Sequence, residues 1–171
     1  VPCGKCNHCK EGRGNCCDVN LAMGYQFDGG FSEYLLLDPI VVEFGPVQKF
    51  DSKLPYDLAA LAEPLACCIN GHELGMMKPG RSVVIFGAGP IGLLLAQLSN
   101  IYQASQVHII DPAQDRLDLA IKLGFKSVIN PQKDDPVKAV MELTNGAGAQ
   151  MILTACAVRE AHEQAIAMVA K

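Results

Sequence analysis

The sequence predicts an α/β protein: a truncated doubly wound parallel sheet, preceded by part of a β-rich domain that carries a cysteine-rich lobe. Three observations predict it. From Ser82 onward, short apolar runs alternate with helical patterns in the order βαβαβαβα. The first of those runs leads directly into Gly87, Gly89 and Gly92. Five of the eight cysteines fall within the first 17 residues. The expected division is 1–60 for the β-rich part and 61–171 for the sheet domain.

A chain of 171 residues is one domain or parts of two. Half of the residues are apolar and 19% are charged, a composition able to bury a core. The net charge is −4 and no basic run offsets it, which argues against nucleic acid or an anionic membrane surface as a partner. Ser82 to Ile110 holds no Asp, Glu, Lys or Arg, and so imitates a membrane span of about 20 residues. Gly87, Gly89, Pro90 and Gly92 interrupt it and polar residues follow, so it reads as a buried strand, a turn and a buried helix. No charged-then-apolar leader opens the sequence, and the expected location is cytoplasmic.

The first element is the lobe VPCGKCNHCKEGRGNCC. Cys3, Cys6 and Cys9 are spaced by three and Cys17 comes eight later, with Gly12 and Gly14 letting the chain return. Four thiolates close a tetrahedral shell, so the reading is a structural zinc site on Cys3, Cys6, Cys9 and Cys17. A disulfide framework is the alternative; Cys16 competes with Cys17 as the fourth ligand, and His8 is a further candidate that reads more simply as a solvent-facing loop residue.

Between Phe31 and Val47, short apolar runs broken by Asp38-Pro39 and Gly45-Pro46 suggest short strands. DLAALAEPLACCINGHELGMMKPG reads as one helical stretch, with Pro64 at a first helical position, Gly80 as its end, and Cys67 and Cys68 as small core residues. On residue chemistry, Glu63 is either a helix-capping carboxylate or a metal ligand.

Val83 to Phe86 is a buried strand, Gly87, Gly89 and Gly92 form a tight turn, and a helix opens at Pro90 and Ile91. A second strand ends in Asp111, 19 residues after Gly92. A G-x-G-x-x-G in that context is the fingerprint of a Rossmann dinucleotide site: the pyrophosphate meets bare backbone and a helix N-terminus. The Asp111 carboxylate suits ribose hydroxyls and opposes a 2′-phosphate, which favours NAD over NADP. Arg116 is either an adenine-stacking side chain or a solvated helix charge.

Beyond it, Ala113 to Leu123 is an amphipathic helix with Leu117, Ala120 and Ile121 inward and Gly124 as its stop. Ser127 to Ile129 is a short strand. Asp135-Pro136 caps the next helix, which ends at Asn145-Gly146; Met151 to Thr154 is a fourth strand and Arg159 to Val169 a last helix. The doubly wound fold calls for two more strands. His72, His108 and His162 read as structural, and Cys156 as either a buried inert thiol or an oxidation-prone one.

PCGKCNHCKEGRGNCC followed by DGGFSEY resembles the structural-zinc lobe of the zinc-dependent medium-chain alcohol and polyol dehydrogenases. The resemblance covers essentially the whole chain and implies a central fragment, inactive alone: the end of a GroES-like catalytic domain, then most of an NAD-binding domain. It implies that Glu63, in LAEPLACC, is one protein ligand of a catalytic zinc, the other two lying upstream of Val1. The implied reaction is hydride transfer from a secondary alcohol to NAD, with a polyol or its phosphate as first candidate, in a homodimer or homotetramer. Two departures from the family pattern, Gln150 for an acidic residue and Cys156 for a glycine, fall in a segment that implies a changed cofactor affinity. The competing reading is a non-catalytic nucleotide-binding module with a zinc lobe.

Overall fold

The computed structural model of the chain describes residues 1–45 and 47–170. They form two compact units, Val1–Pro55 and Tyr56–Lys171.

The first unit is built from a short helix α1 (Asn7–Lys10), a 3₁₀ turn (Gly14–Cys16) and a helix α2 (Pro39–Phe44). Among its described residues there is no strand, only an isolated bridge between Met23 and Phe27. The expectation of short strands over 31–47 is therefore corrected. Asp38-Pro39, read as a turn, opens α2: the Asp38 side chain accepts from the Ile40 amide at 3.0 Å and Pro39 takes the first helical position. The Gly45-Pro46 break lies partly outside the described residues.

The second unit opens with α3 (Tyr56–Ala59) and α4 (Ala62–Leu74). The single helical stretch is thus interrupted, Pro64 stands third in α4 rather than first, and the helix ends at Gly75, not Gly80. Then come β1 (Ser82–Phe86), α5 (Pro90–Ile101), β2 (Gln106–Ile110), α6 (Gln114–Lys122), β3 (Ser127–Ile129), α7 (Pro136–Leu143), β4 (Met151–Thr154) and α8 (Arg159–Ala167). α5, 12 residues long, is the middle of the uncharged stretch, and among the described residues no helix is long and apolar enough to cross a membrane.

The four strands are parallel and ordered β3-β2-β1-β4. Central β1 is buried along its whole length, with Val84 level with His108 on one side and Ile152 on the other. Alternation along it feeds two cores. Val83 and Ile85 pack with Leu95, Ala96, Ile109 and Leu117; Val84 and Phe86 pack with Ile110, Val140 and Met168. Leu117 and Ala120 of α6 are buried as expected, but Ile121 is 50% exposed, because a helix this short turns only a narrow stripe inward. Gly124, at φ +97°, ends the turn after α6, and Asp135 caps α7 through the Val137 and Lys138 amides. The chain leaves β1 toward β2 and returns on its other side as β4, so the order of strands reverses beside β1, where doubly wound sheets open a crevice at their carboxyl ends.

Candidate metal centre and cofactor cleft

The first unit gathers sulfur. Cys3 Sγ accepts from the amides of Lys5 (3.5 Å) and Cys6 (3.4 Å), a tight knuckle that carries Gly4 to φ +68°. A Cβ there would also meet the Phe44 ring. Cys6 precedes α1, Cys9 lies in it, and Gly12 at φ +78° turns the chain back toward Cys17. Cys17 Sγ is buried and accepts from the amides of Cys3 (3.3 Å) and Asn20 (3.4 Å).

The Sγ atoms of Cys3, Cys6, Cys9 and Cys17 lie within 4.8 Å of one another. The Cys6–Cys9 and Cys3–Cys9 separations are 3.5 and 4.0 Å. Sulfurs bound at about 2.3 Å to one tetrahedral ion stand about 3.8 Å apart, so the cluster has the size and the donor chemistry of a zinc-thiolate shell. Cys16 is exposed and outside the cluster, and none of the eight cysteines is in a disulfide. His8 is also outside it, its Nε2 3.8 Å from Asp18.

The backbone prepares thiolates. Asn20 and Cys3 amides hold Cys17 down at about 6, and the Asp18 and Cys9 amides lower Cys6. Cys9 is pushed up to about 12 by desolvation and by the neighbouring Cys6 thiol. Sulfurs this close cannot all ionise without a cation among them.

In the second unit, a cleft of about 580 Å³ opens at the carboxyl ends of β1, β2 and β4. Gly87, Gly89, Asp111, Arg116, Ala155 and Cys156 are among its walls. Gly87 has φ +102°, and a Cβ on it would stand 2.9 Å from the Ala155 carbonyl oxygen. A Cβ on Gly92 would lie 1.8 Å from the Gly87 carbonyl oxygen. A Cβ on Gly89 would meet no protein atom within 4 Å, so what this glycine leaves clear is the cleft itself. Pro90 begins α5 and Ile91 follows it, 43% exposed, in a first turn whose N–H groups lack intrahelical partners. A bare turn in front of such a helix end is shaped for a pyrophosphate.

Asp111 is 3% exposed. Its Oδ2 accepts from the Ala88 amide at 2.7 Å and its Oδ1 from the Ala113 amide at 2.8 Å. The Arg116 guanidinium, mostly exposed, stands 3.8 Å from Oδ2.

Glu63 is exposed in the first turn of α4, and Cys67 donates its thiol proton to Glu63 Oε1 at 3.2 Å. The carboxylate pushes the Cys67 thiol up. Cys68 is buried, as expected of a core cysteine, but Cys67 is exposed: adjacent residues on a helix point about 100° apart, and only one can face α5. His72 is buried, with Nδ1 2.9 Å from the Cys68 carbonyl and Nε2 2.9 Å from Ser99 Oγ, and is stacked on Tyr102. His108, buried in β2, lies 2.7 Å from Ser127 Oγ, and burial lowers its pKa. His162 lies exposed on α8.

Gln150 precedes β4 at its amino end, where it pairs with Ser82 through both main chain and side chain. It is not a wall of the cleft, whereas Cys156 is. The segment expected to alter cofactor affinity therefore divides between the two ends of one strand. Pro131, Val158 and Gln164 also line the cleft and were missed from sequence. Pro131 and Val158 follow the ends of β3 and β4, which was the signal available, whereas Gln164 reaches the cleft from within α8.

A family model described as "Zinc-binding dehydrogenase" matches residues 90–171. The chain is 36% identical over 152 residues to L-threonine 3-dehydrogenase of Bacillus licheniformis, covering 89% of this chain and 42% of that protein. Among solved structures, it is similar to a zinc-binding dehydrogenase of Sinorhizobium meliloti bound to NADP (TM-score 0.84, 31% identity, 99% of this chain and 49% of that one). It is also similar to galactitol-1-phosphate dehydrogenase of Escherichia coli (TM-score 0.86, 25% identity, 99% and 48%). The chain spans less than half the length of the curated relatives it matches.

Proposed function

We propose that the chain, whose residues 90–171 match the zinc-binding dehydrogenase family model, is a member of that family and forms part of an NAD-linked alcohol or polyol dehydrogenase with a structural zinc in its first unit. The observation that carries the reading is the cleft beside β1, where the turn from Gly87 to Gly92 faces Asp111. Gly87, Gly89, Pro90, Ile91 and Gly92 receive the pyrophosphate, Asp111 accepts from the adenosine ribose hydroxyls, and Arg116 lies over the adenine side. Each Asp111 oxygen retains acceptor capacity beyond its one backbone bond. The buried carboxylate favours NAD over NADP by repelling a 2′-phosphate.

Cys3, Cys6, Cys9 and Cys17 hold the structural zinc and leave it no open position, so it takes no part in the reaction. Glu63 is one ligand of a second, catalytic zinc. Such an ion supplies Lewis acidity to an alcohol oxygen. The chain's own contribution is to hold and orient the cofactor. The same reading assigns residues 1–60 to a GroES-like catalytic domain and 61–171 to the NAD domain of a cytoplasmic homodimer or homotetramer. Its substrate is a small secondary alcohol such as a polyol.

Titrating the chain with NAD and NADP, with bound zinc counted by native mass spectrometry, tests this. One zinc and tighter binding of NAD are expected. Zinc without either dinucleotide would overturn the cofactor assignment.

A further inference from the structure

We propose that Asp111 is a positioning residue that braces the glycine turn across the cleft, in addition to any contact with a ribose. The proposal rests on the cofactor reading for its ligand and on the geometry of the ligand-free chain for the brace. Both carboxylate oxygens are already engaged. Oδ2 accepts from Ala88, the second residue of the turn, and Oδ1 accepts from Ala113, which precedes α6. The Asp111 amide donates to the Ile129 carbonyl at 3.2 Å, and the Gly87 amide donates to the Ile110 carbonyl at 2.7 Å. One residue thus ties the ends of β1, β2 and β3 together.

The chemistry favours a brace. A nearly buried carboxylate is costly unless hydrogen-bonded, and amide donors to an ionised acceptor make strong, short bonds. Ala88 is itself 1% exposed, so while the turn keeps its fold no water stands in for the lost acceptor, and its amide regains a partner only when the turn opens. Without Asp111, the bond that fixes the turn between Gly87 and Gly89 is gone, and the backbone that faces the pyrophosphate is no longer held. The loss extends to any ligand that uses the turn, including one without the hydroxyls that Asp111 would bind.

Two nucleotides separate the brace from the ribose contact: ADP, and 2′,3′-dideoxy-ADP, which lacks both hydroxyls. In Asp111→Ala, affinity for dideoxy-ADP is expected to fall about tenfold, the worth of one charge-assisted bond. Asp111→Asn keeps one acceptor oxygen and should restore part of that affinity, which a general loss of folding would not do. In the ligand-free chain, amide hydrogen exchange at Ala88 and Ala113 should quicken in the alanine variant and only one of the two in the asparagine variant. Dideoxy-ADP affinity unchanged in both variants, with ADP affinity reduced, would leave the ribose contact alone and overturn the brace. Should the wild-type chain bind neither nucleotide, the cofactor reading fails, and the exchange rate at Ala88 decides the brace without it.

Discussion

Cys9 stands within 3.5 to 4.0 Å of two other sulfurs, and desolvation first, then the neighbouring thiols, push its pKa up. Cys9→Ser removes one of four ligands, and zinc is expected to fall below one per chain in native mass spectra. Unchanged zinc content would refute the site. His108 permits a pH argument. Burial lowers its pKa below the usual value near 6.5, so below that value the unfolded chain takes up a proton that the folded chain resists. Stability should decline as pH falls through about 6.5, and urea unfolding of His108→Gln at pH 7.5 and 5.5 should show a smaller decline than wild type. Side chains were the least legible level. Neighbouring Cys67 and Cys68 are chemically alike in sequence, and only the angle of α4 on α5 separates the exposed one from the buried one.

Elements were legible where local chemistry and burial agree. Each strand from β1 to β4 falls within a residue of its expected span, because runs such as Val83 to Phe86 are apolar on both faces and a parallel central strand needs that. α2 was misread because Asp38-Pro39 serves equally as a turn and as a cap with Pro at the first helical position, and no long-range partner is visible in sequence to choose. In the cleft, the glycines and Asp111 were legible because their spacing is local, whereas Val158 and Gln164 arrive from residues far along the chain. Gly92→Ala places a Cβ 1.8 Å from the Gly87 carbonyl oxygen, which must move. A loss of about 1–3 kcal/mol in urea unfolding and of nucleotide binding is expected. Ile85→Ala, deep in the first core, should cost about 2–5 kcal/mol by the same measurement.

At the scale of the whole molecule, the two units are held together internally by different means. The second has two apolar cores around its sheet. In the first, Cys17 and Val41 are the buried apolar residues among those described. With so little apolar surface buried within that unit, the proposed zinc site predicts that its order depends on metal ligation. Chelation should therefore release the backbone of Val1–Pro55 to rapid proteolysis while the helical signal of Tyr56–Lys171 persists. A protected first unit after complete zinc removal would contradict this.

The strand order also sets a schedule for synthesis. β1 finds β2 after a short helical excursion, but its other neighbour, β4, is paired through residues such as Val83 and Met151, far apart in the chain. At about 5–20 residues per second, the ribosome needs several seconds to deliver that partner. Until then one side of β1 is open, and Ala155, whose amide bonds to the Phe86 carbonyl and whose carbonyl crowds Gly87, is not in place. A nascent chain therefore carries its glycine turn well before the wall that completes the cleft, and exposes the edge of its most apolar strand to chaperones for that interval.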